Sequence, residues 1–147
     1  RHLTAQGFRI STVKHAHHSF DIDHEGRDSF RHRKAGATEV AVISRHLWAI
    51  IHELREEEEP PLSAILAKLA PCDLVIVEGY KREAALPRLE VFRGGGDRKP
   101  LALHDAGIVA VACPPDLPLP SLQTPRLDLD ATAAIADFLL EAAAEHP

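Results

Sequence analysis

The apolar positions of this chain fall into short runs that alternate with amphipathic segments. Residues 8–14 alternate apolar and polar side chains, as a half-exposed strand does. Residues 74–77 and 108–113 are continuous apolar runs, and residues 89–92 are apolar apart from Glu90; such segments are typical of parallel strands covered on both faces. Strands of this kind separated by helical stripes predict a three-layer α/β domain with a mostly parallel sheet.

Helices and turns are predicted from capping residues and apolar spacing. Asp28 and Asp130 are expected to cap a short helix ending near residue 35 and a final amphipathic helix. The first six residues have the pattern of a last helical turn closed by Gly7. Residues 39–44 and 47–51 predict a hairpin, and a stripe from Leu62 to Leu69 predicts a helix.

Composition narrows the functional class. The 147 residues carry a formal charge of -5 and 45% hydrophobic side chains, so the basic footprint of a nucleic-acid-binding protein is missing. The longest apolar runs are far shorter than the roughly 18 residues of a membrane span. Two cysteines without a Cys-x-x-Cys pairing favour a reducing compartment. We therefore expect one soluble, cytoplasmic domain over residues 1–147.

Two segments crowd chemically active side chains at the ends of predicted strands. The first follows the strand of residues 8–14 and contains His15, His17 and His18; the second places Glu78 and Gly79 directly after the apolar run of residues 74–77. Ligands of open α/β sheets bind at the carboxyl ends of the strands. A period-2 strand would place His15 and His17 on one face and His18 on the other, which argues against a simple three-histidine zinc site.

These segments, residues 14–37 (Lys-His-Ala-His-His through Arg-Lys-Ala-Gly-Ala) and 77–81 (Val-Glu-Gly-Tyr-Lys), resemble the MobB family, the GTP-binding adaptors of molybdopterin-guanine dinucleotide biosynthesis. Residues 47–49, 109–112 and 127–129 extend the similarity along almost the whole chain. The resemblance implies a P-loop NTPase-like fold, GTP and Mg²⁺ as ligands, and weak hydrolysis at most. It also implies molybdopterin guanylyltransferase and molybdopterin as partners and a homodimer, with the strands of residues 39–51 as a plausible edge.

The resemblance also implies roles for individual residues. Glu78 corresponds to the catalytic, Mg²⁺-positioning acid at the end of a buried strand, and Asp21 is the second candidate metal ligand. Asp116 stands where guanine is read in related folds, although Pro114-Pro115 departs from the pattern. The remaining candidates belong to the nucleotide-binding segments: Lys14, His15, His17, His18, Asp21, Asp28, Arg31, Gly79 and Lys81.

The family pattern begins with a strand and a Gly-x-x-x-x-Gly-Lys-Thr phosphate loop, and no such loop occurs in the 147 residues. The glycines of residues 94–96 are not followed by Lys and Ser or Thr, so they predict a plain loop. From the opening at Arg1, we expect an N-terminally incomplete chain whose parent binds GTP.

Two other functions are compatible with the residues. One is a nucleotide-free interaction module that contacts the guanylyltransferase or its cofactor through the basic helix around Arg31 and Arg33. The other is a histidine-based metal carrier, because imidazole is a good ligand for zinc, nickel and copper.

Overall fold

The computed structural model describes residues 1–16, 20–80, 83 and 86–145. Their contacts divide the chain into two compact units. The first unit combines Arg1–His15 with Ala70–Pro147, and the second is Ala16–Leu69. The organisation of residues 1–147 as a single domain stays a prediction.

The first unit contains two parallel sheets. In one sheet β1 (Ile10–Lys14) pairs with β4 (Leu74–Glu78). In the other, β6 (Ile108–Cys113) lies between β5 (Arg88–Val91) and β7 (Arg126–Asp128), and both pairings are parallel. This unit also contains α1 (His2–Ala5), a 3-10 turn (Leu101–Leu103) and α4 (Thr132–Ala144). The predicted α/β fold with a mostly parallel sheet is therefore confirmed.

The core of the first unit is centred on β6. Val111 and Cys113 of this strand are almost fully buried and pack with Phe92 and Ile108. A central strand has neighbours on both edges and both faces, so apolar residues are favoured at every position along it.

Residues 74–77 and 89–92 were also expected to form strands covered on both faces, and for these two segments the expectation is wrong. Ile76 on β4 is 38% exposed and Val91 on β5 is 56% exposed. Among the described residues β4 pairs only with β1 and β5 only with β6. These strands lie at sheet edges and are not covered on both faces.

The second unit contains α2 (Asp28–Lys34), α3 (Leu62–Leu66) and an antiparallel hairpin of β2 (Glu39–Ile43) and β3 (Trp48–His52). The hairpin was predicted from sequence and is confirmed. Ile43, Trp48 and Ile50 share one face of it and are all more than half exposed.

The predicted helix caps are wrong in detail. Arg27 occupies the N-cap of α2 and Ala131 that of α4, and no side-chain hydrogen bond caps either helix in the described structure. Asp28 is already the first helical residue, where its charge still complements the helix dipole. Asp130 lies before the cap, and its carbonyl oxygen accepts a hydrogen bond from the Thr132 N–H.

Two element boundaries also differ from the prediction. The strand β1 begins at Ile10, because the Phe8 N–H donates to the Leu3 carbonyl oxygen and closes α1. Helix α3 ends at Leu66, beyond which Leu69 N–H closes a tighter turn on the Leu66 carbonyl oxygen. In the described part of the chain, none of the helices is long and apolar enough to cross a membrane.

Candidate functional site

The end of the β1–β4 sheet brings together two predicted site residues. Lys14 and Glu78 are register partners at the carboxyl ends of the two parallel strands. The Lys14 Nζ lies 3.2 Å from Glu78 Oε1, and both side chains are about 70% exposed, at 69% and 71%. A cation and a carboxylate thus stand at the strand ends, where α/β sheets hold their ligands.

His15 and Gly79 continue this arrangement by one residue on each strand. The His15 N–H donates to the Glu78 carbonyl oxygen at 2.8 Å. Gly79 has φ +94°, and a Cβ there would lie only 2.7 Å from the His15 Cβ. Glycine is therefore required by both the backbone angle and the close approach. The next residue, Tyr80, places its ring centroid 4.7 Å from that of His15.

In the second unit, Arg33 of α2 draws three carboxylates together. Its guanidinium donates to Asp21 at 2.8 Å and to Glu53 at 2.5 Å, and lies 3.6 Å from Asp23. The Arg33 side chain is only 11% exposed. The hydrogen bonds from Arg33 lower the pKa of Asp21, and those to Asp21 and Glu53 raise the pKa of Arg33. Asp21, the predicted second metal ligand, is therefore already held by an internal cation.

His52, at the end of β3, contacts two further carboxylates. Its Nδ1 lies 2.9 Å from Glu39 and its Nε2 lies 3.2 Å from Glu57. Hydrogen bonding to Glu39, which is the larger cause, and to Glu57 raises the pKa of His52 above its ordinary value. The imidazole thus links the first residue of β2 to the loop after β3.

Asp28 and Arg31, both predicted to bind nucleotide, pair with each other on the exposed surface of α2. The Arg31 Nη1 lies 3.5 Å from Asp28 Oδ1, and the side chains are 76% and 86% exposed. A pair of this kind contributes little to stability and leaves both groups accessible.

Asp116 lies exposed in the loop that follows β6. That loop is fastened by Arg126 of β7, whose Nη2 donates to the carbonyl oxygens of Leu117, Pro115 and Pro114 at 3.0, 3.3 and 3.5 Å. Leu117 also packs against the core around Val111. The position of Asp116 is therefore set by an arginine that the sequence pattern did not single out.

Three predicted site residues, His17, His18 and Lys81, lie outside the described residues. Within the described ranges, no group of three or more His, Cys, Asp or Glu side chains has the geometry to hold a metal ion. A Mg²⁺ site remains chemically compatible, because this ion is commonly bound by one or two carboxylates together with substrate phosphates.

Comparison with known proteins identifies the group to which this architecture belongs. The sequence pattern of the family described as "Molybdopterin guanine dinucleotide synthesis protein B" (MobB) matches residues 1–114. The chain belongs to the MobB family. A molybdopterin-guanine dinucleotide biosynthesis adapter protein of Escherichia coli is 37% identical over 142 residues, covering 95% of this chain and 79% of the relative. The adapter protein of Haemophilus influenzae is 34% identical over 137 residues, covering 93% and 74%.

Solved MobB structures share the fold. A crystal structure of molybdopterin-guanine biosynthesis protein B superposes with a TM-score of 0.68 at 27% identity, covering 95% of this chain and 82% of the other. A MobB homologue from Bacillus stearothermophilus gives a TM-score of 0.64 at 28% identity, covering 96% and 82%. The resemblance inferred from residues 14–37 and 77–81 is confirmed, and both segments lie inside the matched MobB region.

Proposed function

We propose that this MobB-family chain is a GTP-binding accessory protein of molybdenum cofactor biosynthesis, which assists a guanylyltransferase in joining GMP to molybdopterin. The observation that carries the proposal is the pair of Lys14 and Glu78 at the ends of two parallel strands, in a chain similar to molybdopterin-guanine dinucleotide biosynthesis adapters. The names of those relatives support a role in molybdenum cofactor biosynthesis, and the charges of Lys14 and Glu78 at the strand ends support the binding of GTP.

Glu78 has the chemistry to position Mg²⁺ and a water molecule. Its carboxylate is exposed and pairs with the exposed Lys14 ammonium, so a metal-bound phosphate could replace that partner at little energetic cost. Lys14 would then face the phosphate oxygens. Asp21, the other predicted metal ligand, is held by Arg33 within the second unit, so Glu78 is the ligand on which this proposal rests.

The phosphates themselves need a cradle of backbone N–H groups and a lysine. The printed sequence contains no Gly-x-x-x-x-Gly-Lys-Ser/Thr loop. In the described part of the chain, β4 and β5 each pair along one edge only. These unpaired edges support a nucleotide site in which one further strand, carrying the phosphate loop, pairs beside β4.

A homodimer is the second element of the proposal. The hairpin face that carries Ile43, Trp48 and Ile50 is apolar, and these side chains are 77%, 67% and 55% exposed. A second copy of the same face would cover them in a self-complementary contact. In a chain extended by the strand that carries the phosphate loop, Trp48→Lys should yield a monomer in sedimentation velocity, whereas Leu101→Lys, at an exposed leucine of the other unit, should leave the mass unchanged.

The nucleotide-free interaction module is the alternative. This alternative requires a basic surface formed by Arg31 and Arg33. The Arg33 side chain, however, is only 11% exposed and is bound to carboxylates. Only Arg31 of the two offers an accessible charge. This observation favours the nucleotide-binding proposal over a basic docking helix.

Titration calorimetry with GTP tests the proposed function. Residues 1–147 should bind GTP with little or no measurable affinity, because the phosphate loop supplies much of the recognition. The same chain extended at its N-terminus by a strand and a phosphate loop should bind in a Mg²⁺-dependent manner. Micromolar Mg²⁺-dependent binding by residues 1–147 would contradict the first expectation, and no binding by the extended chain would refute the proposed function.

A further inference from the structure

Tyr80 adopts a backbone conformation that non-glycine residues seldom take. Its φ is +47°, in the left-handed region, directly after Gly79 at φ +94°. A side chain with a Cβ pays conformational energy there that glycine would avoid. Strained residues persist only where their surroundings hold them, and they concentrate at functional sites.

The Tyr80 ring packs against His15. The two rings lie 4.7 Å apart with an interplanar angle of 39°, a tilted arrangement that is favourable for aromatic pairs. His15 also donates its N–H to the Glu78 carbonyl oxygen and lies against the backbone of Gly79. Glu78, the last residue of β4, and the two residues after it thus all contact His15, which directly follows β1.

This arrangement fixes the path of the chain where Glu78 leaves the sheet. Glycine at position 80 would take the same backbone angle without strain but would have no ring to pack on His15. The sequence instead places the single tyrosine of the chain there. The ring contact with His15 is therefore not required to form the turn.

We propose that Tyr80 is a positioning residue, which packs on His15 to hold the ends of β1 and β4 in register and so orients the Glu78 carboxylate toward bound Mg²⁺. The Mg²⁺ part of this inference rests on the proposed function. Tyr80 itself touches neither metal nor phosphate in this account; it acts through His15 and the backbone of Glu78.

Four variants separate the ring from the backbone strain. Tyr80→Phe keeps the ring, Tyr80→Ala removes the ring but keeps a Cβ at positive φ, and Tyr80→Gly removes both. Arg55→Gly is the matched control, because Arg55 is the other described non-glycine residue at positive φ, at +50°, and lies in the second unit. Because glycine avoids the strain of a positive φ, the Tm of Tyr80→Gly should exceed that of Tyr80→Ala by about 2–4 °C.

The first readout needs no ligand. Hydrogen exchange of the His15 amide should accelerate about two- to tenfold in Tyr80→Ala and Tyr80→Gly, which corresponds to the loss of one aromatic contact. Tyr80→Phe and Arg55→Gly should exchange like the wild type. Unchanged His15 exchange in Tyr80→Ala would overturn the proposal.

The second readout is the Mg²⁺ dependence of GTP binding by the chain extended at its N-terminus with a strand and a phosphate loop. Tyr80→Ala should raise the Mg²⁺ concentration for half-saturation about two- to tenfold and leave GTP affinity in EDTA unchanged, with Tyr80→Phe behaving like the wild type. An equal loss with and without Mg²⁺ would overturn the proposal, because it would indicate a general structural defect. If the wild type shows no Mg²⁺-dependent binding, the proposed function fails, and the His15 exchange alone decides whether Tyr80 holds the strand ends.

Discussion

The Glu78 Oε1 lies 3.2 Å from the Nζ of Lys14, its register partner on the neighbouring parallel strand. Both side chains are largely exposed, so water screens the pair and its contribution to folding is small. An acidic and a basic group that are adjacent, accessible and weakly bound to each other are suited to exchange partners with a metal ion and a phosphate.

Replacing Glu78 by Gln should separate hydrolysis from binding. In a chain that carries the phosphate loop, Glu78→Gln should slow Mg²⁺-dependent GTP hydrolysis about 100-fold while changing nucleotide affinity far less, because general acid–base and metal-positioning groups act on the reaction step. Single-turnover hydrolysis and calorimetry measure the two effects. Asp73→Asn is the control: Asp73 immediately precedes the same strand and accepts the Arg9 N–H at 2.7 Å, so the substitution should affect stability and leave hydrolysis of the folded fraction intact. Equal hydrolysis by Glu78→Gln would remove Glu78 from the mechanism.

Gly79 should be intolerant of a side chain, and Gly95 provides a comparison at a similar backbone angle. Gly79 has φ +94° and Gly95 has φ +107°, but only at Gly79 would a Cβ collide, at 2.7 Å from the His15 Cβ. Gly79→Ala should lower the free energy of unfolding by at least about 2 kcal/mol, and Gly95→Ala by about 1 kcal/mol. Denaturant unfolding of both variants tests the difference. Equal losses would show that the close approach to His15 has no energetic consequence.

Much of the fold could be predicted because single strands carry their own signal. The run Ile108–Cys113 contains no polar residue, and the structure places it between two parallel neighbours at the centre of the core. Residues 74–77 are also continuously apolar, but among the described strands they lie at an edge. Apolar content alone does not distinguish the two positions, since edge and centre are decided by which strands are present to pair.

The site was only partly predictable for a related reason. Lys14 and Glu78 come together because parallel strands end at one edge of their sheet, which follows from the order of the elements. The pairing of Asp21 with Arg33 across 12 residues, and the fastening of the Asp116 loop by Arg126, depend on tertiary contacts with no local signature. Tyr80 belongs to the motif of residues 77–81, but no role was predicted for it, because a positive φ at a non-glycine residue has no signature in the sequence.

Arg33 should be the most important charged residue of the second unit. Arg33→Ala would leave the carboxylates of Asp21, Asp23 and Glu53 without their shared cation, and Asp23 is only 8% exposed. We expect a fall of several degrees in Tm, and a smaller fall for Arg33→Lys, which keeps the charge but loses the planar fork of donors. Arg31→Ala on the same helix removes an exposed pair and should change Tm little. Similar Tm values for Arg33→Ala and Arg31→Ala would contradict this assignment.

His52 should make the stability of the second unit depend on pH. Its folded pKa lies above the ordinary value of 6.5 because of Glu39 and Glu57, so the protonated form is favoured in the folded state. Its stabilising contribution is complete below about pH 6.5 and is lost as the pH rises through the raised folded pKa. The Tm advantage of wild type over His52→Gln should therefore be larger near pH 6 than near pH 9. A Tm advantage of the wild type over His52→Gln that is the same at both pH values would refute the prediction.

The last prediction concerns the unpaired edges of the first unit. The Leu74 N–H and the Glu78 carbonyl oxygen bond to the β1 side, and alternate residues of a parallel strand direct their groups to the same side. Val75 and Val77 therefore direct theirs to the opposite edge of β4, where no described strand lies. Such an edge is a template for pairing with another chain. Each backbone group left buried and unpaired costs about 1–3 kcal/mol of a total stability of only about 5–15 kcal/mol.

We accordingly expect residues 1–147 to be marginally stable and to self-associate through these edges. Sedimentation velocity over a concentration series should show species of increasing mass even in the Trp48→Lys variant, in which the dimer contact through the hairpin face is removed. Adding Val91→Lys should reduce this association, because Val91 is 56% exposed on the edge strand β5 and a lysine there opposes strand addition. Leu101→Lys adds the same charge at an exposed position outside the strands and should leave the association unchanged. A monodisperse monomer with cooperative unfolding at every concentration would contradict the prediction, since it would mean that the edges of β4 and β5 are satisfied within the 147 residues.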